Sequence, residues 1–304
     1  IVDLMLIYFI MLLMILMAVG FFTLLERKIL SYINNRKGPN KVGILGLAQP
    51  ISDGVKLFLK EFTIPYLSLN LMFMISPSMI FILSLFMWSV IPLINHFMDF
   101  SYGFLFFLCL TGLNVYSLIL CGWSSNSKYS IYGAYRGVAQ TISYEVSLAL
   151  LMLSLVYLIE SYNFEMFTVY QNYNWFIFMM LPLSMIWLVS MLAETNRTPF
   201  DFTEGESELV SGFNIEYGSF FFALIFIGEY SSIIFMSSVY TILFLGGMSM
   251  MFFIKTLMIM TIFLLIRGTL PRFRYDNLMY LAWKIYLPMS INFLIFYFSM
   301  KLII

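Results

Sequence analysis

Two cysteines and a single histidine are all the soft metal ligands that this chain of 304 residues carries. A Cys/His zinc site, an iron–sulfur cluster and a bis-histidine haem held by this chain alone are therefore excluded. Cys109 and Cys121 lie in one apolar stretch, and if that stretch is one helix their separation is about 18 Å, far beyond disulfide reach; both read as core thiols. Charge is also scarce, at 11% of residues, where a soluble domain carries about a quarter. The 16 basic residues balance the 16 acidic ones, so net charge gives no sign of nucleic-acid binding. An Arg-rich amphipathic presequence and a basic region leading to a cleavage site are both missing, and the first apolar run follows Asp3, so no targeting peptide is expected. There is no internal repeat and no low-complexity tract.

What the chain has instead is apolar length. Hydrophobic residues make up 62% and mean hydropathy is +0.92, more than a soluble core can absorb, so most of the chain is expected to have lipid as its solvent. The apolar runs are long and unalternated, which favours helices of roughly 20 residues over barrel strands. Eight spans are expected, near Leu4 to Leu25, Leu71 to Ile94, Gly103 to Trp123, Ile142 to Ile159, Trp175 to Ala193, Gly218 to Leu243, Met248 to Ile266 and Leu281 to Ile303. The fold class is thus an all-α polytopic membrane protein, a single integral membrane domain over residues 1–304. Pro77 and Pro182 fall inside spans and are expected to kink them. Ile1 in the first position suggests truncation or an alternative initiation codon translated literally; with 24 Met, 33 Phe and 20 Tyr it points to an AT-rich organellar gene.

The charges that remain are sorted by side. With eight spans, the segments after the first, third, fifth and seventh share one face. They hold Arg27, Lys28, Arg36, Lys37, Lys41, Lys56, Lys60, Lys128, Arg136, Arg197, Arg267, Arg272, Arg274 and Lys284, leaving only Lys255 and Lys301 opposite. The positive-inside rule then puts both termini outside. Most carboxylates lie on the same inner face, as do the Gly- and Pro-rich stretches, so function is expected to face inward. His96 lies in an outer connection and takes no role.

Three groups of residues carry chemistry. From Ile44 onward, apolar side chains alternate with Gln49, Asp53, Lys56, Lys60 and Glu61 at helical spacing, which reads as an amphipathic helix at the membrane interface; a plain surface anchor would read the same way. Glu194, Asp201, Glu204, Glu206, Glu208 and Glu216 crowd into one short stretch with Arg197 as the lone basic residue. Like charges this close must be neutralised or given partners, and the interleaved Pro199, Phe200, Phe202, Leu209, Val210 and Phe213 argue for burial over a solvated acidic loop. Glu229 falls about 16 Å into the sixth span, and Glu145 lies just inside the fourth. Carboxylates in lipid are costly unless protonated, paired or water-lined, so function is the default reading and a structural hydrogen bond the alternative.

Four inner stretches, in motif and order, resemble the subunit 1 family of respiratory NADH:quinone oxidoreductases (complex I) and its counterparts in membrane-bound hydrogenases. They are LLERKILSYINNRKGPNKVGILGLAQPISDGVKLFLKE from Leu24 to Glu61, GWSSNSKYSIYGAYRGVAQTISYEVSLAL from Gly122 to Leu150, LAETNRTPFDFTEGESELVSGFNIEY from Leu192 to Tyr217 and RGTLPRFRYDNLMYLAWK from Arg267 to Lys284. Together they cover more than a third of the chain. The link around Gly246 to Met251 is shorter and more apolar than in many relatives, and Thr203 stands where relatives often have Ala.

The resemblance implies a core membrane subunit that admits ubiquinone, as substrate, to a chamber at the membrane surface. Arg27, Arg36, Asp53, Arg136, Arg267 and Arg274 would lie along that chamber, and Glu145, Glu194, Asp201, Glu204, Glu206, Glu208, Glu216 and Glu229 along the first part of a proton route. The same likeness implies partners: hydrophilic-arm subunits carrying FMN and iron–sulfur clusters, and adjacent proton-pumping membrane subunits. The composition and Ile1 then place the chain in the mitochondrial inner membrane, and the split of basic residues puts the charged loops on the matrix side and both termini on the intermembrane side. An ion-coupled secondary transporter or channel would also use intramembrane glutamates but predicts repeated, broken halves, which the sequence lacks. A passive anchor for a soluble enzyme accounts for the interfacial helix and leaves Glu229 without a purpose.

Overall fold

A computed structural model of the chain describes residues 2–92, 100–172, 174–203, 205, 209–247 and 251–303. His96, Glu204, Glu206 and Glu208 lie outside the described residues. Every regular element among the described residues is helical. In chain order they are α1 (Val2–Ile33), α2 (Gln49–Leu59), α3 (Asn70–Met87), α4 (Gly103–Ser124), α5 (Lys128–Ile159), α6 (Phe164–Tyr170), α7 (Phe176–Met179), α8 (Leu181–Glu194), α9 (Ser219–Phe244), α10 (Phe252–Thr269), α11 (Tyr275–Tyr280) and α12 (Leu287–Ile303), with α11 and α12 joined by a π-helical turn, Leu281–Tyr286.

Seven helices among the described residues are long and apolar enough to cross a membrane, with α11, the π turn and α12 counted as one. The fifth expected span is the exception. Its residues form α7 and the shorter apolar helix α8, separated at Met180, where φ is −127° and ψ is 41°. Pro182 is the physical reason: it sits in the first turn of α8, where a proline needs no intrahelical donor, so it starts a helix and does not kink one. In the last span, Pro288 comes two residues after the π turn, and the wider turn makes room for a ring that would otherwise strike the carbonyl one turn back.

The core is built around α9. Over its most apolar window 61% of residues are buried, against 17% for α1, so α9 is the central helix and α1 a peripheral one. A central helix needs no polar stripe, and α9 is apolar almost all round. Its hydroxyls at Ser231, Ser237, Ser238 and Thr241 donate to carbonyls three residues back, so each is satisfied within the helix. Gly228 lets α3 approach: a Cβ there would come within 2.8 Å of Ile80 Cγ2 and 3.4 Å of the Ile80 backbone. At the far end of α9, buried Gln171 donates to the carbonyls of Ile242 and Leu243, each at 2.9 Å, and accepts from Gly246 N at 2.8 Å. That one amide satisfies carbonyls the helix leaves orphaned at its C-terminus.

Two helices outrun the membrane. α1 continues to Ile33, carrying Glu26, Arg27 and Lys28 on a helical surface, and α5 begins at Lys128, which makes Arg136 and Gln140 helical as well. The expected amphipathic helix is α2, preceded by a short 3-10 turn at Ile44–Gly46; its Ile51, Val55, Phe58 and Leu59 are exposed, the pattern of a helix that meets lipid or a partner.

Candidate functional site: a buried charge network on the central helix

The site begins where α8 stops. Asn196 adopts a left-handed conformation (φ 49°), a region Asn tolerates well, and Arg197 N reaches back to Leu192 O at 3.3 Å, closing α8 with a Schellman turn. Gln140 of α5 clamps both flanks of this turn, its Nε2 donating to Ala193 O and Phe200 O at 2.8 Å each. So held, the Arg197 side chain runs into the bundle against α9. Its Nη2 lies 3.4 Å from Glu229 Oε2, with the two side chains only 11% and 18% exposed, and its guanidinium carbon stands 4.5 Å from the centre of the Tyr230 ring.

From Tyr230 the network continues to α1 and α10. The Tyr230 hydroxyl donates to Glu26 Oε2 at 2.6 Å, and Arg267 pairs with the other Glu26 oxygen. Glu26 is among the most buried charged residues described, at 5% exposure, so it depends on these two partners. The order Arg267, Glu26, Tyr230, Arg197, Glu229 thus links three spans through alternating charges with one phenol between them.

A cavity of about 30 Å³ lies on the other side of Glu229. Its polar lining is Glu229, Glu194, Asn114, Asn196, Ser84, Ser232 and Thr195, closed off by Ile80, Met87, Leu118 and Gly228. At roughly 10–15 Å³ for each water on this measure, it has room for about two. Glu194 Oε2 is buried and finds no hydrogen-bond partner among the described residues, and the same holds for Asn196 Oδ1; both are groups that such water would satisfy. Beyond Glu194, Glu145 of α5 sits within its electrostatic reach. Glu145 Oε1 accepts from Thr111 Oγ1 at 3.4 Å and lies over Gly112 of α4, where a Cβ would come within 3.1 Å of it. A second cavity, about 10 Å³, is lined by Phe22, Glu26, Arg197, Ile233, Phe263, Leu264 and Arg267.

The structure therefore brings together Glu145, Glu194 and Glu229, three of the carboxylates singled out from the sequence, and places Arg267 at the far end of the same network. Asp201 pairs with Arg272 at 3.3 Å, both side chains largely buried. Arg27 pairs with Asp53 at 2.6 Å, and Gln49 donates to the second Asp53 oxygen at 2.9 Å, which ties α2 to α1 at an exposed edge. Arg136 is half-buried on α5, and Glu216 is half-buried just before α9. Arg36 is exposed on the basic turn, and Arg274 pairs with its neighbour Asp276 at 3.0 Å in an exposed position. Sequence reasoning missed Glu26, Tyr230, Asn114 and Arg272 as members of the site. Glu26 had a signal, an acid at the end of an apolar run; Tyr230 and Asn114 had none.

Comparison with known proteins agrees over nearly the whole chain. A family profile described as NADH dehydrogenase matches residues 5–298. The NADH-ubiquinone oxidoreductase chain 1 of Anopheles gambiae is 57% identical over 290 residues, covering 95% of this chain and 92% of the relative. That of Locusta migratoria is 54% identical over 296 residues, 97% and 94% of the two chains, and that of Phascolarctos cinereus 48% over 297 residues, 95% and 93%. A membrane-spanning helical bundle with this extent of likeness belongs to the NADH dehydrogenase family.

Proposed function

We propose that this chain is a core membrane subunit of NADH:ubiquinone oxidoreductase, part of that enzyme with no redox centre of its own, and that it forms the quinone-access chamber and the first part of the proton route. The observation that carries the reading is the meeting of Glu229, the ion-pair partner of Arg197, with Glu194 at one small polar cavity inside the bundle. Ubiquinone takes up two electrons and two protons to become ubiquinol. The electrons come from iron–sulfur clusters, and before them FMN, in hydrophilic-arm partners. The protons and the change of charge are what this chain's residues handle.

Arg27, Arg36, Asp53, Arg136, Arg267 and Arg274 are assigned to the chamber side, where guanidinium groups orient polar headgroups and fix the acidic loop. Asp201, Glu204, Glu206, Glu208 and Glu216 are assigned to its floor. Inward from there, Glu229 exchanges its proton with Glu194 across about two waters, and Glu194 hands the change to Glu145 and the adjacent membrane subunits. The membrane is the mitochondrial inner membrane, with the charged loops on the matrix side and both termini on the intermembrane side, as the distribution of basic residues favours.

Glu229→Gln tests this reading because it keeps shape and hydrogen-bonding capacity while removing the titration. The expected result is an assembled complex that still oxidises NADH with an artificial acceptor but loses most proton-coupled quinone reduction. Native rate and native proton-to-electron ratio in that variant would make Glu229 structural and remove the route drawn through it.

A further inference from the structure

One face of α5 is cut away at two glycines, and the described ends of the acidic loop, Thr203 and Gly212–Phe213, lie in the cuts. Gly133, Gly137 and Gln140 follow each other at intervals of about one helical turn, so they share a face. At Gly137 a Cβ would collide with the Cγ2 methyl of Thr203, whose residue is 1% exposed. At Gly133 a Cβ would come within 2.9 Å of Gly212 Cα and 3.0 Å of Phe213 N. Gln140 holds Phe200 O from the next turn. The loop is therefore seated on α5 at both ends, at Thr203 and at Gly212–Phe213, and Phe202 and Phe213, 2% and 1% exposed, fix it further.

Backbone conformation does not ask for glycine at either position. Both lie within α5, and neither has a positive φ. Alanine would favour the helix more than glycine does. What glycine supplies is closeness, the use small residues have where one helix must be approached by another backbone in a membrane bundle.

We propose that the notch at Gly137, into which the Thr203 methyl fits as its pair, leaves the room that lets the acidic loop settle against α5, so that Gly137 is a positioning residue for quinone reduction without touching the quinone. The proposal rests on the loop being part of the quinone chamber. The two glycines differ in a way that makes it testable. Gly133 faces backbone, which no side-chain change can move aside. Gly137 meets only a methyl: with that methyl gone, the nearest atom is Thr203 Cβ at 3.5 Å, ordinary contact. Thr203→Ser should therefore make room for Gly137→Ala and leave Gly133→Ala unrelieved.

The experiment compares respiratory membranes carrying Gly137→Ala, Thr203→Ser, the double variant, Gly133→Ala and Gly133→Ala with Thr203→Ser. NADH oxidation by an artificial acceptor and the native-gel band report assembly; the quinone KM and kcat report the chamber. Gly137→Ala is expected to raise quinone KM about fivefold or more with a smaller effect on kcat, Thr203→Ser to stay within about twofold of the native chain, and the double variant to return to that range. Gly133→Ala is expected to remain defective with Thr203→Ser. If Gly137→Ala leaves no assembled complex, the contact serves packing alone and the positioning role is refuted, whether or not Thr203→Ser restores assembly. A native KM in Gly137→Ala, or a defect that Thr203→Ser leaves untouched, also overturns it. If the series rescues assembly while quinone KM never moves, the pair is packing alone and its positioning role is refuted, an outcome separate from the Glu229→Gln test of the functional reading itself.

Discussion

Replacing Arg197 by Gln takes a guanidinium from two neighbours at once, and the structure separates their contributions. The Glu229 carboxylate loses this partner from 3.4 Å in surroundings where the two side chains are 11% and 18% exposed. Opposite charges near 4 Å interact by about 4 kcal/mol at an effective dielectric of 20, and removing one member of a buried pair costs about 3–5 kcal/mol because the other charge stays behind. The stacking of Arg197 on Tyr230 at 4.5 Å makes up roughly 0.5–2 kcal/mol of that cost, and its loss strands no charge. Arg197→Gln is therefore expected to destabilise the membrane bundle by about 3–5 kcal/mol. Arg197→Gln combined with Glu229→Gln should lose little beyond the stacking, and so be about 2–3 kcal/mol more stable than the single variant. The assay is thermal dissociation of purified complex, followed by loss of the native-gel band, across the four members of the cycle. A double variant as labile as Arg197→Gln, or more so, would show that the pair does not govern the stability of this site and would refute the reasoning.

Gln171→Ala should lower stability by about 3 kcal/mol, at about 1 kcal/mol for each of the three hydrogen bonds with which Gln171 closes α9; melting of the complex at the native temperature would refute the capping account. Arg27→Ala should leave assembly nearly native, since the Arg27–Asp53 pair is 51% and 36% exposed and such pairs are worth about 0–1 kcal/mol, yet it should raise the quinone KM. Arg36→Ala, in an exposed position, should behave alike. An unchanged KM in both would leave them as interfacial anchors.

The spans were legible wherever an apolar run has polar punctuation at both ends. Gly103 to Trp123 and Gly218 to Leu243 match α4 (Gly103–Ser124) and α9 (Ser219–Phe244) almost residue for residue. Reading by apolarity failed where helix and membrane part company. α5 starts at Lys128 and not Ile142 because its first turns pack on the acidic loop and have no need of apolar residues all round. The fifth span broke at Met180 because a proline in an apolar run reads as a kink whether it interrupts a helix or begins one. In the site, Glu145, Glu194 and Glu229 were legible as charges against an apolar background. Their partners were not, because partnership is made across the fold: 204 positions separate Tyr230 from Glu26, and 71 separate Arg272 from Asp201. No local spacing encodes such a contact.

The placement of Arg197 ties two small cavities together without making them one channel. Arg197 lines the cavity shared with Glu26 and Arg267, while its ion-pair partner Glu229 lines the one shared with Glu194. Water filling both would still be divided by the guanidinium. A planar guanidinium can lie on the Tyr230 ring with one face and donate to Glu229 from its edge, two contacts that an ammonium could not hold in the same geometry. A charge gained or lost at Glu26 then acts on Arg197 through Tyr230, and on Glu229 through Arg197, at contacts of 2.6, 4.5 and 3.4 Å. In a medium of low dielectric such contacts transmit a charge change with little screening. On the reading proposed above, a charge change at Glu26 would bias the proton on Glu229 without an open water path, and a continuous path is what a coupled membrane enzyme must avoid, since it would let protons cross without work.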